Sequence, residues 1–121
     1  PVRDAVVHAI PVTLCGRISR PAEERTLPSG DVIVTFRLVI ERPPQTRRKR
    51  GPGRTPTVDT IDVVTWTSRP QRVARSLVPG DVVAVDGSLR RRFWRTAGAA
   101  VSRTEVEGWS VRRVARAAVA R

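Results

Sequence analysis

Arg90, Arg91, Arg92 and Arg95 crowd into a stretch of six residues, with Phe93 and Trp94 set between them. A guanidinium group forks two hydrogen bonds onto a phosphate and also lies flat against rings. An indole offers a face on which any planar ring stacks. If this stretch is extended, alternation puts Arg90, Arg92 and Trp94 on one face. Trp66 stands three residues ahead of Arg69 in a smaller grouping of the same kind. A third basic stretch runs from Arg42 to Pro56 and holds Arg42, Arg47, Arg48, Lys49, Arg50 and Arg54, with four prolines, two glycines and no acid. It has no large apolar side chain to bury, so it reads as a mobile cationic arm (residues 42–56) that can follow a chain of phosphates and release counterions. Arg17, Arg37 and Arg75 are further candidates for such contacts, but they are scattered, and surface solvation is the alternative reading.

Other chemistries lack the residues they need. The chain has one cysteine, Cys15, and one histidine, His8, so neither a disulfide framework nor a cysteine–histidine metal centre is expected. Asp59 and Asp62 have no third carboxylate at useful spacing, which argues against metal-dependent hydrolysis. No catalytic residue, metal or cofactor is therefore expected. The formal net charge is +12 and the isoelectric point about 11.8. A high-GC genome would explain arginine in place of lysine but not the excess itself, which points to a polyanionic partner. No apolar run exceeds four residues, so neither a membrane span nor a signal-peptide core is expected, and a cytoplasmic location follows.

These residues must be held by strands. Valine is the commonest apolar residue, with twenty copies. Pro11–Ser19 alternates Val12, Leu14, Gly16 and Ile18 against Thr13, Cys15, Arg17 and Ser19; Cys15 is read as a reduced core residue. A turn-rich stretch, Arg20–Gly30, separates this from Asp31–Glu41, where Val32, Val34, Phe36, Leu38 and Ile40 share one face. Strand character returns at Val58–Thr67. Ser68 is a plausible cap and Pro70 a first-turn residue for a short helix near 69–78, which Pro79-Gly80-Asp81 ends. Val82–Trp94 reads as a long strand with a bend or bulge at Gly87. Thr96–Val101 reads as a small-residue loop and Ser102–Val111 as the last strand. Trp109, in that strand, is assigned to core or protomer-contact packing. The expected fold is all-β: a five-stranded OB-fold Greek-key barrel with one short helix between strands 3 and 4. One domain is expected over residues 1–111, followed by a basic tail, 112–121.

Several motifs occur in an order that resembles bacterial single-stranded DNA-binding proteins. They are Val12-Thr13-Leu14-Cys15-Gly16-Arg17-Ile18 with Pro21, Pro28-Ser29-Gly30, and Val34-Thr35-Phe36-Arg37-Leu38. Ile61-Asp62-Val63-Val64-Thr65-Trp66, Arg72-Val73-Ala74 and Pro79 through Leu89 follow, then Arg92-Phe93-Trp94 and Arg103-Thr104-Glu105-Val106. The resemblance implies a non-catalytic OB-fold protein that binds single-stranded DNA without regard to sequence, in replication, recombination or repair, at the nucleoid. It implies a homo-oligomer joined through the first strand, with a homotetramer ahead of a homodimer. Of four stacking positions in such proteins, Trp66 and Trp94 match two, while Thr60 and Pro44 stand at the others. The phosphate contacts would come from Arg42, Arg47, Arg48, Lys49, Arg50, Arg54, Arg90, Arg92 and Arg95. The acidic tip of the family is not expected, since the sequence runs out through Arg112, Arg113, Arg116 and Arg121; protein partners stay unassigned. The alternative is an OB-fold adaptor of a replication, recombination or conjugation complex, or an RNA-binding OB protein.

Overall fold

The alternating segments become strands that pair almost wholly antiparallel. A computed structural model describes residues 10–43 and 57–118. In chain order these form β1 (Pro11–Ile18), β2 (Glu23–Thr26), β3 (Val32–Glu41), β4 (Val58–Thr65), α1 (Ser68–Ser76), β5 (Val82–Thr96) and β6 (Ala99–Ala115). β1 pairs with β5, β5 with β6, β6 with β4 and β4 with β3; β3 returns to β1 at Arg17↔Val39 and Ile18↔Leu38. Five strands thus close a ring, and only β4 and β6 run parallel. This order, with the helix between the third and fourth ring strands, is that of the OB-fold.

Inward-facing Val34, Phe36, Leu38, Val63, Val83, Val85 and Val106 fill the ring, each at most 4% exposed. The helix closes one end by turning Pro70, Gln71, Ala74 and Leu77 toward that core. Its cap position falls at Thr67, one residue before the expected Ser68.

Three further differences from the sequence reading have simple causes. The stretch Arg20–Gly30 contains a sixth strand, β2, which pairs with residues 32–35 of β3. Glu23, Glu24, Arg25 and Thr26 are all exposed, so β2 carries no apolar alternation that could announce it. The expected loop Thr96–Val101 is a two-residue turn, with Ala97 at φ 49° and Gly98 at φ 80°. Two successive left-handed residues match the twist of the flanking strands, so pairing continues up to Thr96↔Ala99. The last strand also runs past Val111 to Ala115, and Arg112 and Arg113 pair with Ala84 and Val83.

Gly87 stands where the sequence places a bulge. Asp86 faces Ser110 but Gly87 faces Gly108, so Trp109 is an extra residue on β6. A Cβ on Gly87 would run into the carbonyl oxygen of Glu107, and only glycine fits there.

Candidate nucleic-acid interface

Trp94 lies near the tip of the β5–β6 hairpin, which stands off the ring as a two-stranded ribbon exposed from Arg90 to Ala100. Register puts Arg90, Arg92 and Trp94 opposite Glu105, Arg103 and Val101, so these six residues share the outward face. Trp94 is 41% exposed and Arg92 lies over its ring, 6.0 Å from guanidinium carbon to centroid. The other face of the ribbon repeats the arrangement, with Arg91 5.6 Å above the ring of the strongly exposed Phe93. These cation–π contacts hold both guanidinium groups against rings without neutralising their charge.

Trp66 follows the last residue of β4 and is 46% exposed. Its backbone is pinned from both sides by the helix. The buried Gln71 side chain donates to the carbonyl oxygens of Thr65 (3.0 Å) and Val32 (2.8 Å), while its backbone N–H donates to Thr67 O (3.2 Å). Thr65 Oγ1 donates to Val34 O at 2.7 Å, which locks the strand end to β3. A satisfied polar side chain inside the ring thus fixes where the indole emerges.

Between β2 and the hairpin lies a groove of about 200 Å³. Thr35, Val64 and the Arg37–Asp62 pair form its floor; Glu23, Glu24 and Arg25 form one wall, and Arg92, Arg103 and Glu105 the other. Asp62 accepts from Arg37 Nε at 2.9 Å and from Arg103 Nη1 at 3.1 Å. One carboxylate therefore holds two guanidinium groups, one on the floor of the groove and one on its wall. The hydrogen bond and charge of Asp62 raise the Arg37 pKa, so that guanidinium stays charged.

Not every expected contact comes together here. Arg42 sits at the root of the 42–56 stretch and makes three hydrogen bonds to the Asp59 carboxylate, the shortest 2.9 Å. That contact holds the Asp59 carboxyl below the ordinary carboxylate range. Arg90 pairs with Glu107 at 3.0 Å, whereas Arg92 and Arg95 make no ion pair among the described residues. Arg47, Arg48, Lys49, Arg50 and Arg54 lie outside the described residues, as do Pro44 and His8. Arg17, Arg37 and Arg75 each have an acidic partner: Glu41, Asp62 and Glu24. Asp59 and Asp62 are each paired with an arginine, Arg42 and Arg37 respectively.

Two assignments are corrected. Cys15 is exposed, because it shares the outward phase of β1 with Thr13 and Arg17. Of the two roles expected for Trp109, core packing is overturned: the bulge turns it out, at 49% exposure, as a contact between protomers would also require. Arg103 was missed by sequence reasoning. Its signal is the Ala97-Gly98 turn, since a two-residue hairpin centred there sets Arg103 directly across from Arg92.

The family model described as "Single-strand binding protein family" matches residues 10–114. The chain belongs to this family. The Treponema pallidum single-stranded DNA-binding protein is 32% identical over 100 residues, covering 83% of this chain and 54% of that protein. Single-stranded DNA-binding protein A of Bacillus subtilis is 35% identical over 101 residues, 83% of this chain and 56% of the relative. The chain thus spans little more than half the length of these curated relatives. Among solved structures, a Plasmodium falciparum SSB in complex with ssDNA superposes with a TM-score of 0.67 at 23% identity, over 81% of this chain and 84% of that one. The small single-stranded DNA-binding protein of Streptomyces coelicolor gives 0.62 at 20% identity, over 88% and 94%. At these identities the structural likeness speaks to the fold, which is the OB-fold derived above. Among the described residues, no helix is long and apolar enough to cross a membrane.

Proposed function

We propose that this chain binds single-stranded DNA without regard to sequence, by stacking bases on Trp66 and Trp94 and pairing phosphates with arginine. The observation that carries this reading is the outward face shared by Trp94, Arg92 and Arg103, which continues into the groove over β3 and β4. In OB-folds the corresponding face, flanked by the same two connections, is where oligonucleotides lie. A single strand presents both unpaired base faces and phosphates to such a surface. A duplex hides its base faces, so only the charge would be used. The names of the relatives support the same substrate.

The remaining contacts belong to this reading. Arg90, Arg92 and Arg95 take phosphates along the hairpin, and the basic stretch 42–56, with Arg42, Arg47, Arg48, Lys49, Arg50 and Arg54, takes further ones. The work would be non-catalytic, in replication, recombination or repair at the nucleoid. Assembly would be a homotetramer ahead of a homodimer, joined through β1, whose edge from Pro11 to Gly16 is unpaired on the side away from β5 among the described residues.

Fluorescence anisotropy with a labelled thymidine oligomer, competed by unlabelled single strand or by duplex of equal length, tests the substrate. The single strand displaces the probe at much lower concentration than the duplex. Equal displacement would reduce the binding to charge attraction.

A further inference from the structure

We propose that Trp109 is a third base-stacking platform, working beside Trp66 at the opposite end of the face from Trp94. The proposal rests on the single-strand reading above and extends it to a residue that the family's stacking positions do not supply.

Register carries the placement. β4 and β6 run parallel with Val63↔Val106 and Val64↔Glu107. Counted onward, Thr65 comes level with Gly108 and Trp66 level with Trp109. The packing at Gly108 agrees: a Cβ there would lie 3.0 Å from Val63 Cγ1 and 3.6 Å from Thr65 Cγ2. Gly108 therefore faces inward and Trp109 outward, and Trp66, which follows the fully buried Thr65, is likewise half exposed. The bulge opposite Asp86 and Gly87 frees Trp109 from pairing with β5 and leaves its indole half exposed.

The surroundings decide between a base and a protein face. Glu107, Ser110, Arg112, Asp86 and Thr13 share the outward side nearby and are polar or charged. A dry protein contact over Trp109 would strip water from these groups at a cost. A stacked nucleotide needs only the ring, and Arg69 and Arg112, each exposed and three residues along the chain from an indole, are available as phosphate partners. From Val101, opposite Trp94, to Trp109 is eight residues of β6. That is roughly 26 Å of strand, a span suited to a site of several nucleotides.

The test uses the full chain with Trp66→Phe and Trp94→Phe, which keeps a ring at each position and leaves Trp109 as the sole indole. A thymidine oligomer of about twenty nucleotides, longer than the roughly 4–16 that one OB-fold covers, is titrated in. The Trp109 emission should quench and saturate at the midpoint given by anisotropy of the labelled oligomer. Trp109→Ala should weaken binding by roughly five- to a hundred-fold with the melting temperature unchanged, and Trp109→Phe should restore most of it. Unmoved emission during saturating binding overturns this proposal and leaves the single-strand reading standing. Retained affinity with a changed mass by light scattering also overturns it, assigning Trp109 to contact with a second copy. Absence of binding by the unsubstituted chain overturns both.

Discussion

Asp62 governs how much positive charge the groove presents, because it is hydrogen-bonded to Arg37 and Arg103 together. Asp62→Asn removes one negative charge a few ångströms from the expected path of the strand and releases both guanidinium groups from their counterion. Affinity for single strands should rise by roughly two- to tenfold at low salt. Because the effect is electrostatic, the gain should shrink as salt increases. Titrations at two salt concentrations check both statements. At this scale the sequence is most legible where residue type alone carries the chemistry. The crowding of Arg90, Arg92 and Trp94 needs only a strand's alternation to become a shared face. Arg103 needs the register of a turn, and the outward orientation of Trp109 needs a bulge that shifts the phase of one strand against another. Cys15 is the opposite case: its alternation with Thr13 and Arg17 already puts it outside, against its reading as core.

The elements that hold this face are tied at two points, each with its own test. The first is the bulge between β5 and β6. Gly87→Ala would press a methyl group into the Glu107 carbonyl, backbone against backbone, with no flexible side chain to yield. A loss of about 3 kcal/mol or more in denaturant unfolding is expected, at the upper end of overpacking costs. The second is Asp81, which is 1% exposed. It accepts from Val78 N–H at 3.0 Å, Ala117 N–H at 2.7 Å and Arg113 Nε at 3.2 Å, joining the turn before β5 to the residues after β6. The two backbone donors, with help from Arg113, hold its carboxyl below the ordinary range despite burial. A depressed folded-state pKa means that this stabilisation is complete above the unfolded value of about 4 and is lost as pH falls through the lower, folded value. Thermal melts of the parent chain should therefore drop on acidification below about pH 4, and Asp81→Asn should melt lower at neutral pH and lose that component of the drop. Strand and helix positions in this part are legible from valine alternation and from Pro79-Gly80-Asp81. The all-polar β2 is not, since a strand without an apolar face leaves no periodic signal. The hydrogen bond from Ala117 to Asp81 is not legible either, because it joins residues 36 apart in sequence.

At the scale of the whole molecule, the +12 charge and the exposed rings are separable sources of affinity. Replacing Arg47, Arg48, Lys49 and Arg50 by serine should lower affinity most at low salt. It should also flatten the slope of log K against log salt by about 0.7 for each phosphate that is no longer neutralised. Charge sets the slope and stacking sets the offset. The central claim is that both act on one strand at once. The most direct measurement is therefore that salt line, taken for the parent chain and for the Trp66→Ala, Trp94→Ala double variant with a thymidine oligomer. Both indoles are about half exposed, so the variant should melt close to the parent, and that is checked first. With on the order of five phosphates neutralised, the parent line should fall with a slope near −3.5. The variant line should run parallel to it, displaced to weaker binding by about 1–3 kcal/mol for each indole that stacks. Superimposed lines from a well-folded variant would contradict the claim and leave charge as the whole of the interaction.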